Sequence, residues 1–250
     1  MIGVESSRVM RAAPRKAAER VEASVPWDFS RKYAAVHHSG TISVENARKR
    51  SKIGRVMKVE TFETPQDAAK ALAGEVAELI RTRAAEGKNV VLGLATGATP
   101  LPFYAELVRM HKEEGLSFAN VISFNLDEYS GLDRDHPESY WYFMHTNLFN
   151  HIDIKPENIN LPSGTVKDDE IAAHCAAYEQ KIKDCGGIDL QILGIGRTGH
   201  IGFNEPGSDD TTVTRQVHLD ELTRSDAAPA FGGIENVPTT AITMGGATIM

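Results

Sequence analysis

Two cysteines, Cys175 and Cys185, are all that the 250 residues contain. They stand too far apart for a CxxC pair and no cluster of histidines accompanies them, so neither a disulfide framework nor a zinc site is signalled. That usage points to a reduced, cytoplasmic setting. No run of about eighteen apolar residues occurs, which removes a helical membrane span. The turn Leu94–Pro100 matches neither of two nucleotide fingerprints, the Walker A loop and GxGxxG. The first twenty residues are rich in Arg and Ala, as transit peptides are, but Glu5, Glu19 and Glu22 weigh against that reading.

What is present is a chain with 41% hydrophobic residues, enough at this length to bury a sizeable core. Charge divides it in two. Residues 1–56 hold twelve Lys and Arg against five Asp and Glu; with a net charge of −7 for the whole chain, that surplus of +7 leaves residues 57–250 at −14. The acidic body is no nucleic-acid binder. Basic clusters such as Arg48-Lys49-Arg50-Ser51-Lys52 and the lack of a sustained period make 1–56 an N-terminal extension, and 57–250 an α/β domain.

From Met57 the pattern changes. Val59–Phe62 reads as a strand, and Thr64-Pro65 as the N-cap and first position of a helix carrying Ala69, Leu72, Val76, Leu79 and Ile80 at helical spacing up to Gly87. Asn89–Leu94, Asn120–Phe124, Asn158–Leu161, Ile188–Leu193 and Thr239–Met244 read as further strands. Helices are expected from Pro100, over Ser139–Asn150 and over Asp168–Asp184. This alternation predicts a doubly wound, mostly parallel sheet with helices on both faces. The chain stops at Met250 on the first turn of what reads as another helix, so a domain truncated at its C-terminus is expected.

Three stretches carry chemistry. Leu94-Ala95-Thr96-Gly97-Ala98-Thr99-Pro100 joins a strand to a helix start, where backbone N–H groups and hydroxyls can hold a phosphate; an ordinary βα turn is the alternative. Asp127 and Glu128 follow an apolar strand at the sheet's carboxyl edge, where a partly desolvated carboxylate can act as a base beside a carbonyl, and one of the pair can be structural. His200 and Glu205 flank a turn holding Asn204 and Pro206 after the Gly-rich GIGRTGH, a spacing that suits proton transfer in opening a sugar ring. Arg197 and Arg215 are possible anion contacts.

The combination LATGATP, FNLDEYSGLDRDHPESYWYFM, ENINLPSG and LGIGRTGHIGFNEPGS resembles glucosamine-6-phosphate deaminase, of the sugar-phosphate isomerase superfamily that also holds 6-phosphogluconolactonase. The resemblance runs from about Met57 to Met250, and the lactonase pattern lacks NEP. It implies conversion of glucosamine 6-phosphate to fructose 6-phosphate and ammonia without a metal or organic cofactor. It implies Asp127 as the base that moves a proton between C2 and C1, His200 as the ring-opening proton carrier and Glu205 as its helper. Thr96, Gly97, Ala98 and Thr99 fall in the phosphate loop and Glu128 among the substrate contacts. A small sugar phosphate as partner and assembly into a homo-oligomer are expected, with no nucleic acid and no membrane.

Three departures stand out. Thr198 occupies a position where the family usually has the Asp that orients the histidine, and loss of a histidine-orienting carboxylate can cost orders of magnitude in rate. Ala228-Pro229-Ala230-Phe231 lies where an Arg usually meets the phosphate, with Arg224 nearby as a possible substitute, and a further phosphate-binding Lys would fall beyond Met250. These departures, with the basic extension, resemble the long deaminase-like chains fused to a deacetylase-like domain. They keep two alternatives open: a non-catalytic sugar-phosphate sensor or scaffold, and a related enzyme such as 6-phosphogluconolactonase.

Overall fold

In the computed structural model, which describes residues 33–36 and 60–250, Thr64 opens the first helix as its position implies. Its side-chain oxygen accepts from the Asp67 N–H at 3.1 Å, and Pro65 fits the first turn, where no N–H is needed. Such a cap stabilises a helix by about 1 kcal/mol. This helix, α1 (Pro65–Ala85), buries Ala68, Ala69, Leu72, Ala73, Val76, Ala77 and Ile80; Leu79 is only partly covered.

Five parallel strands form the main sheet: β1 (Tyr33–Val36), β2 (Val90–Leu94), β3 (Val121–Asn125), β5 (Ile159–Asn160) and β6 (Leu190–Gly194). Their spatial order is β1-β6-β2-β3-β5. Between them run α2 (Leu101–Glu114), α3 (Tyr140–Asn147) and α4 (Ile171–Asp184). From β2 the chain steps outward to β3 and β5, then returns to the other side of β2 as β6. Right-handed crossovers in opposite directions send α2 and α4 to opposite faces, giving the doubly wound arrangement. The reversal also sets a switch point between the carboxyl ends of β2 and β6, the place where open α/β sheets take ligands.

The core explains why these runs are strands. All five residues of β2 are buried, and so is Phe124 at 0% exposure, with its ring 5.6 Å from that of Tyr178 on α4. Removing a Phe side chain from water contributes about 1.5–3 kcal/mol. Gly93 is in register with both Phe124 and Gln191, and a Cβ on it would meet the Gln191 side chain. The Tyr178 hydroxyl donates to the Asn125 carbonyl at 2.8 Å, tying α4 to the end of β3.

Several expectations are corrected. Glu60–Phe62 is irregular, while Val59 lies outside the described residues, as does most of 1–56. The edge beside β6 is taken instead by Tyr33–Val36, in parallel register from Tyr33 with Gln191 to Val36 with Gly194. The helix expected over Ser139–Asn150 ends at Asn147, with a 3-10 turn at Phe149–His151, and that expected from Asp168 begins at Ile171. A second, antiparallel sheet was not expected: β4 (Asp127–Tyr129), β8 (Thr240–Thr243) and β7 (Arg215–His218), in the order β4-β8-β7. Nor was α5 (Glu221–Phe231), capped by Asp220 and carrying Pro229 inside it. A short α6 (Gly246–Ile249) follows β8. Among the described residues no helix is long and apolar enough to cross a membrane.

The loop after β5 closes on the loop after β4. The Gly131 N–H donates to the Gly164 carbonyl at 2.6 Å, and a Cβ on Gly164 would lie 2.5 Å from the carbonyl oxygens of both Leu132 and Tyr129. Backbone cannot yield there as a flexible side chain would. Gly164→Ala is therefore expected to destabilise the fold by about 1–3 kcal/mol. A urea midpoint equal to that of the parent chain would contradict this contact.

Candidate active site

Only Leu126 separates β3 from β4. Its N–H donates to the Leu94 carbonyl at 3.1 Å and its carbonyl accepts from the Met244 N–H at 2.7 Å, so the ends of β2, β3 and β8 meet at one residue. The chain thus passes from the parallel to the antiparallel sheet in a single step. Asp127 and Glu128 are delivered into the seam, at 6% and 2% exposure.

The two carboxylates have different surroundings. Glu128 accepts from the N–H groups of Tyr129 at 2.9 Å, Tyr140 at 3.0 Å and Trp141 at 3.0 Å. Two of these are the otherwise orphan donors at the start of α3, so Glu128 anchors that helix to β4. Burial pushes its carboxyl up to about 7, against the downward pull of the three N–H donors. Asp127 is pushed up to about 8, first by burial and then by the charge of Glu128. Glu128 ionises first, because its donors favour the anion. The sequence placed Glu128 among the substrate contacts; both its oxygens are occupied by backbone.

Space for Asp127 comes from Gly202. A Cβ on Gly202 would stand 3.3 Å from Asp127 Oδ2 and 2.8 Å from Thr243 Oγ1, and its φ of +57° is one that glycine tolerates best. This glycine brings the His200 loop against Asp127. Phe203 beside it donates its N–H to Thr243 Oγ1 at 3.1 Å, and its ring stacks on Tyr140 at 6.2 Å. Asn204 is buried and donates to the carbonyls of Ile201 at 2.9 Å and Met244 at 2.7 Å.

His200 is held by a small network. Nδ1 lies 3.0 Å from Glu205 Oε1 and 2.9 Å from Thr198 Oγ1. The Thr198 hydroxyl donates its one proton to Glu205 Oε2 at 2.6 Å, so toward the ring it can only accept. Nδ1 therefore carries hydrogen, and in the neutral imidazole Nε2 keeps the lone pair. Thr223 on α5, 9% exposed, donates to Glu205 Oε1 at 2.5 Å. The ring lies over Gly196, where a Cβ would come within 2.1 Å of Nε2.

The β2–α2 loop completes the site at the switch point. Gly97 has φ of +101°, and Gly97 and Ala98 are exposed while Thr96 and Thr99 are half-buried. The Thr96 side chain is hydrogen-bonded to the Tyr140 hydroxyl, which also bonds Tyr129. Tyr104 fastens the loop's start by donating to the Ala95 carbonyl. Pro100 caps the 14-residue α2, whose positive end opens toward this loop and favours an anion.

The arginines are engaged elsewhere. Arg224 donates to the carbonyls of Ile234 at 2.9 Å and Val237 at 3.1 Å, so it secures the turn after α5 and does not stand in for the family's phosphate Arg. Arg197 pairs with Asp226 at 3.0 Å on the surface, and Arg215 donates to Asn204 Oδ1 at 2.9 Å. Thr223 carries no motif signal in the sequence, because its role comes from a contact with a segment 18 residues away.

A carboxyl raised above its ordinary range gives a pH signature. Folded Asp127 holds its proton up to about 8, whereas the unfolded chain releases it near the ordinary 3.8, so this group's contribution to stability is present at low pH and lost as pH rises through 8. Asp127→Asn removes that dependence. The variant's advantage in unfolding midpoint over the parent should widen between about pH 5 and 8; a constant difference would contradict the buried assignment.

Comparison with known proteins shows the family of the chain. The sequence profile of the family described as glucosamine-6-phosphate isomerases/6-phosphogluconolactonase matches residues 63–224. A glucosamine-6-phosphate deaminase of Thermoanaerobacter sp. (strain X514) is 51% identical over 179 residues, 72% of this chain and 70% of that protein. A glucosamine-6-phosphate deaminase-like protein of Bacteroides thetaiotaomicron is 45% identical over 208 residues, 82% of this chain but 31% of that longer protein. The solved structure of a monomeric glucosamine-6-phosphate deaminase superposes with a TM-score of 0.73 at 44% identity, covering 77% of this chain and 78% of that one.

Proposed function

The chain belongs to the family of glucosamine-6-phosphate isomerases and 6-phosphogluconolactonases, and from that membership we infer that it is a glucosamine-6-phosphate deaminase that uses Asp127, His200 and Glu205. The observation that carries the catalytic reading is the Glu205 carboxylate 3.0 Å from His200 Nδ1. The residue two before the histidine is an uncharged Thr, yet a charge still faces the ring. A sensor that had lost turnover would have no need of that arrangement.

In this reading the sugar's phosphate rests on the Thr96–Thr99 loop and the positive end of α2. His200 Nε2, bare in the neutral ring, takes the proton of the anomeric hydroxyl and passes it to the ring oxygen, opening the sugar to an aldehyde; Glu205 steadies the transient imidazolium. Asp127 then removes the C2 proton and returns it to C1, while the aldehyde oxygen takes a proton from the C2 ammonium, leaving a hydroxyl on C1 and an iminium at C2. Water adds to that iminium, ammonia departs, and fructose 6-phosphate remains. The base step needs ionised Asp127, which a cationic substrate amine next to it would favour. Glu128 positions Asp127 and α3 and does not touch substrate. The resemblance's homo-oligomer remains part of the proposal, although the solved relative at 44% identity is monomeric. So does a reducing, cytoplasmic setting, in keeping with the free thiols Cys175 and Cys185.

The test is ammonia release from glucosamine 6-phosphate by the full chain. Turnover is expected, with kcat/KM rising as pH climbs to about 8 and a loss of at least about 100-fold in Asp127→Asn. Rates that match between parent and variant, or acid release from 6-phosphogluconolactone in place of ammonia, would overturn the reading.

Steric support for the ring gives a second expectation. Gly196→Ala sets a methyl group where Nε2 lies and should lower kcat about 100-fold, since displacement of a catalytic group by about 1 Å has that effect. Unchanged kcat in a folded variant would remove His200 from the reaction.

A further inference from the structure

Resting on the deaminase reading, we propose that Thr223 is a positioning residue: with Thr198 it forms a two-hydroxyl clamp that turns the Glu205 carboxylate toward His200. No motif points to Thr223. It lies 18 residues from Glu205, on a helix that approaches the loop only in the folded chain.

A Glu side chain has three rotatable bonds, and Glu205 is on a loop with a fifth of its side chain exposed. One ring N–H cannot fix such a carboxylate. Two hydroxyls can, because they take different oxygens: Thr198 donates to Oε2 at 2.6 Å and Thr223 to Oε1 at 2.5 Å. With Oε1 drawn to Thr223 and Oε2 to Thr198, the remaining lone pair of Oε1 faces His200 Nδ1.

The two donors differ in rigidity. Thr198 sits in a turn between Gly196 and Gly199, whereas Thr223 belongs to the first turn of α5, where a β-branched side chain has few rotamers. The Asp220 cap fixes that turn by accepting from the Leu222 N–H at 2.8 Å. Thr223 is thus the fixed jaw and Thr198 the jaw that also touches the ring. The Arg197–Asp226 pair links the same loop to the next turn of α5, but both side chains are about half exposed, so it adds little. Orientation that the family obtains from a second carboxylate comes here from two neutral hydroxyls acting on the only carboxylate in contact with the ring among the described residues.

The experiment compares Thr223→Val and Thr223→Ser with the parent as full chains. Thr223→Val keeps the shape and removes the donor. A loss of about 10-fold in kcat is expected, as for one hydrogen bond to a charged acceptor, with KM within about twofold and the chain still folded. Thr223→Ser should restore most of kcat. Nitrogen NMR of His200 should show Nδ1 protonated and Nε2 bare in the parent and in Thr223→Ser, and a tautomer mixture in Thr223→Val. Unchanged kcat in Thr223→Val, a loss that Ser does not restore, or identical ring-nitrogen shifts in all three would overturn the clamp. If the parent releases no ammonia the deaminase reading falls, and the ring-nitrogen shifts alone then decide whether the clamp exists.

Discussion

The single-residue step at Leu126 is the constraint on which the site depends. Two backbone hydrogen bonds, to Leu94 at the head of the β2–α2 loop and from Met244 at the end of β8, hold three strand ends at one point. A longer connection between β3 and β4 would let the two sheets drift apart. With one residue there is no slack, so the main-chain direction set by β3 in the core is passed directly to Asp127 and Glu128. Buried backbone groups must be paired, and here the pairing also registers the site.

That crossing also explains why adjacent acids take different work. Successive residues of a strand point to opposite sides, so Asp127 and Glu128 leave β4 in opposite directions. One side meets the start of α3, where orphan N–H groups await an acceptor. The other meets Gly202 and the His200 loop, where a glycine leaves room and backbone donors do not converge. Desolvation raises both carboxyls, but three N–H donors restrain Glu128 and none of the causes acting on Asp127 pulls it down. The pair is divided by its neighbours into an anchor and a carboxylate that no backbone donor holds. Tyr140 then carries the anchor's influence onward, since the first residue of α3 reaches the Thr96 hydroxyl and stacks on Phe203.

Much of the parallel layer was readable because its signals are local. The Thr64-Pro65 cap and the apolar spacing of Leu72, Val76 and Ile80 give α1, an apolar run gives β2, and a mostly apolar one broken by Gln191 gives β6. The antiparallel layer has no such signal. Asp127–Tyr129 is three residues of mixed polarity, and Arg215–His218 is a half-exposed strand that pairs with residues far away in sequence. Helix α5 was hidden by Pro229 and by its charged surface, though Asp220 at its start and Gly232 at its end mark it. At the site, motif residues announced themselves, Gly202 among them within GHIGFNEP, while Thr223 did not. Its contribution is one hydroxyl, which leaves no pattern in sequence.

Thr198 changes the electrostatics of the histidine more than its geometry. An aspartate at that position would stand between the ring and Glu205 as a second negative charge in a partly buried turn, and two carboxylates so close repel one another. A threonine removes the repulsion and supplies a donor, which lets Glu205 come within 3.0 Å of Nδ1 itself. Of the two carboxylates that the resemblance sets about the histidine, the one two positions before it is replaced by Thr198, and Glu205, five positions after it, is the one that remains. The cost is mobility, because Glu205 has a longer side chain than aspartate and loses more freedom when fixed. Its position must therefore be held from outside the loop, and the hydroxyl that α5 presents is fixed before any substrate arrives.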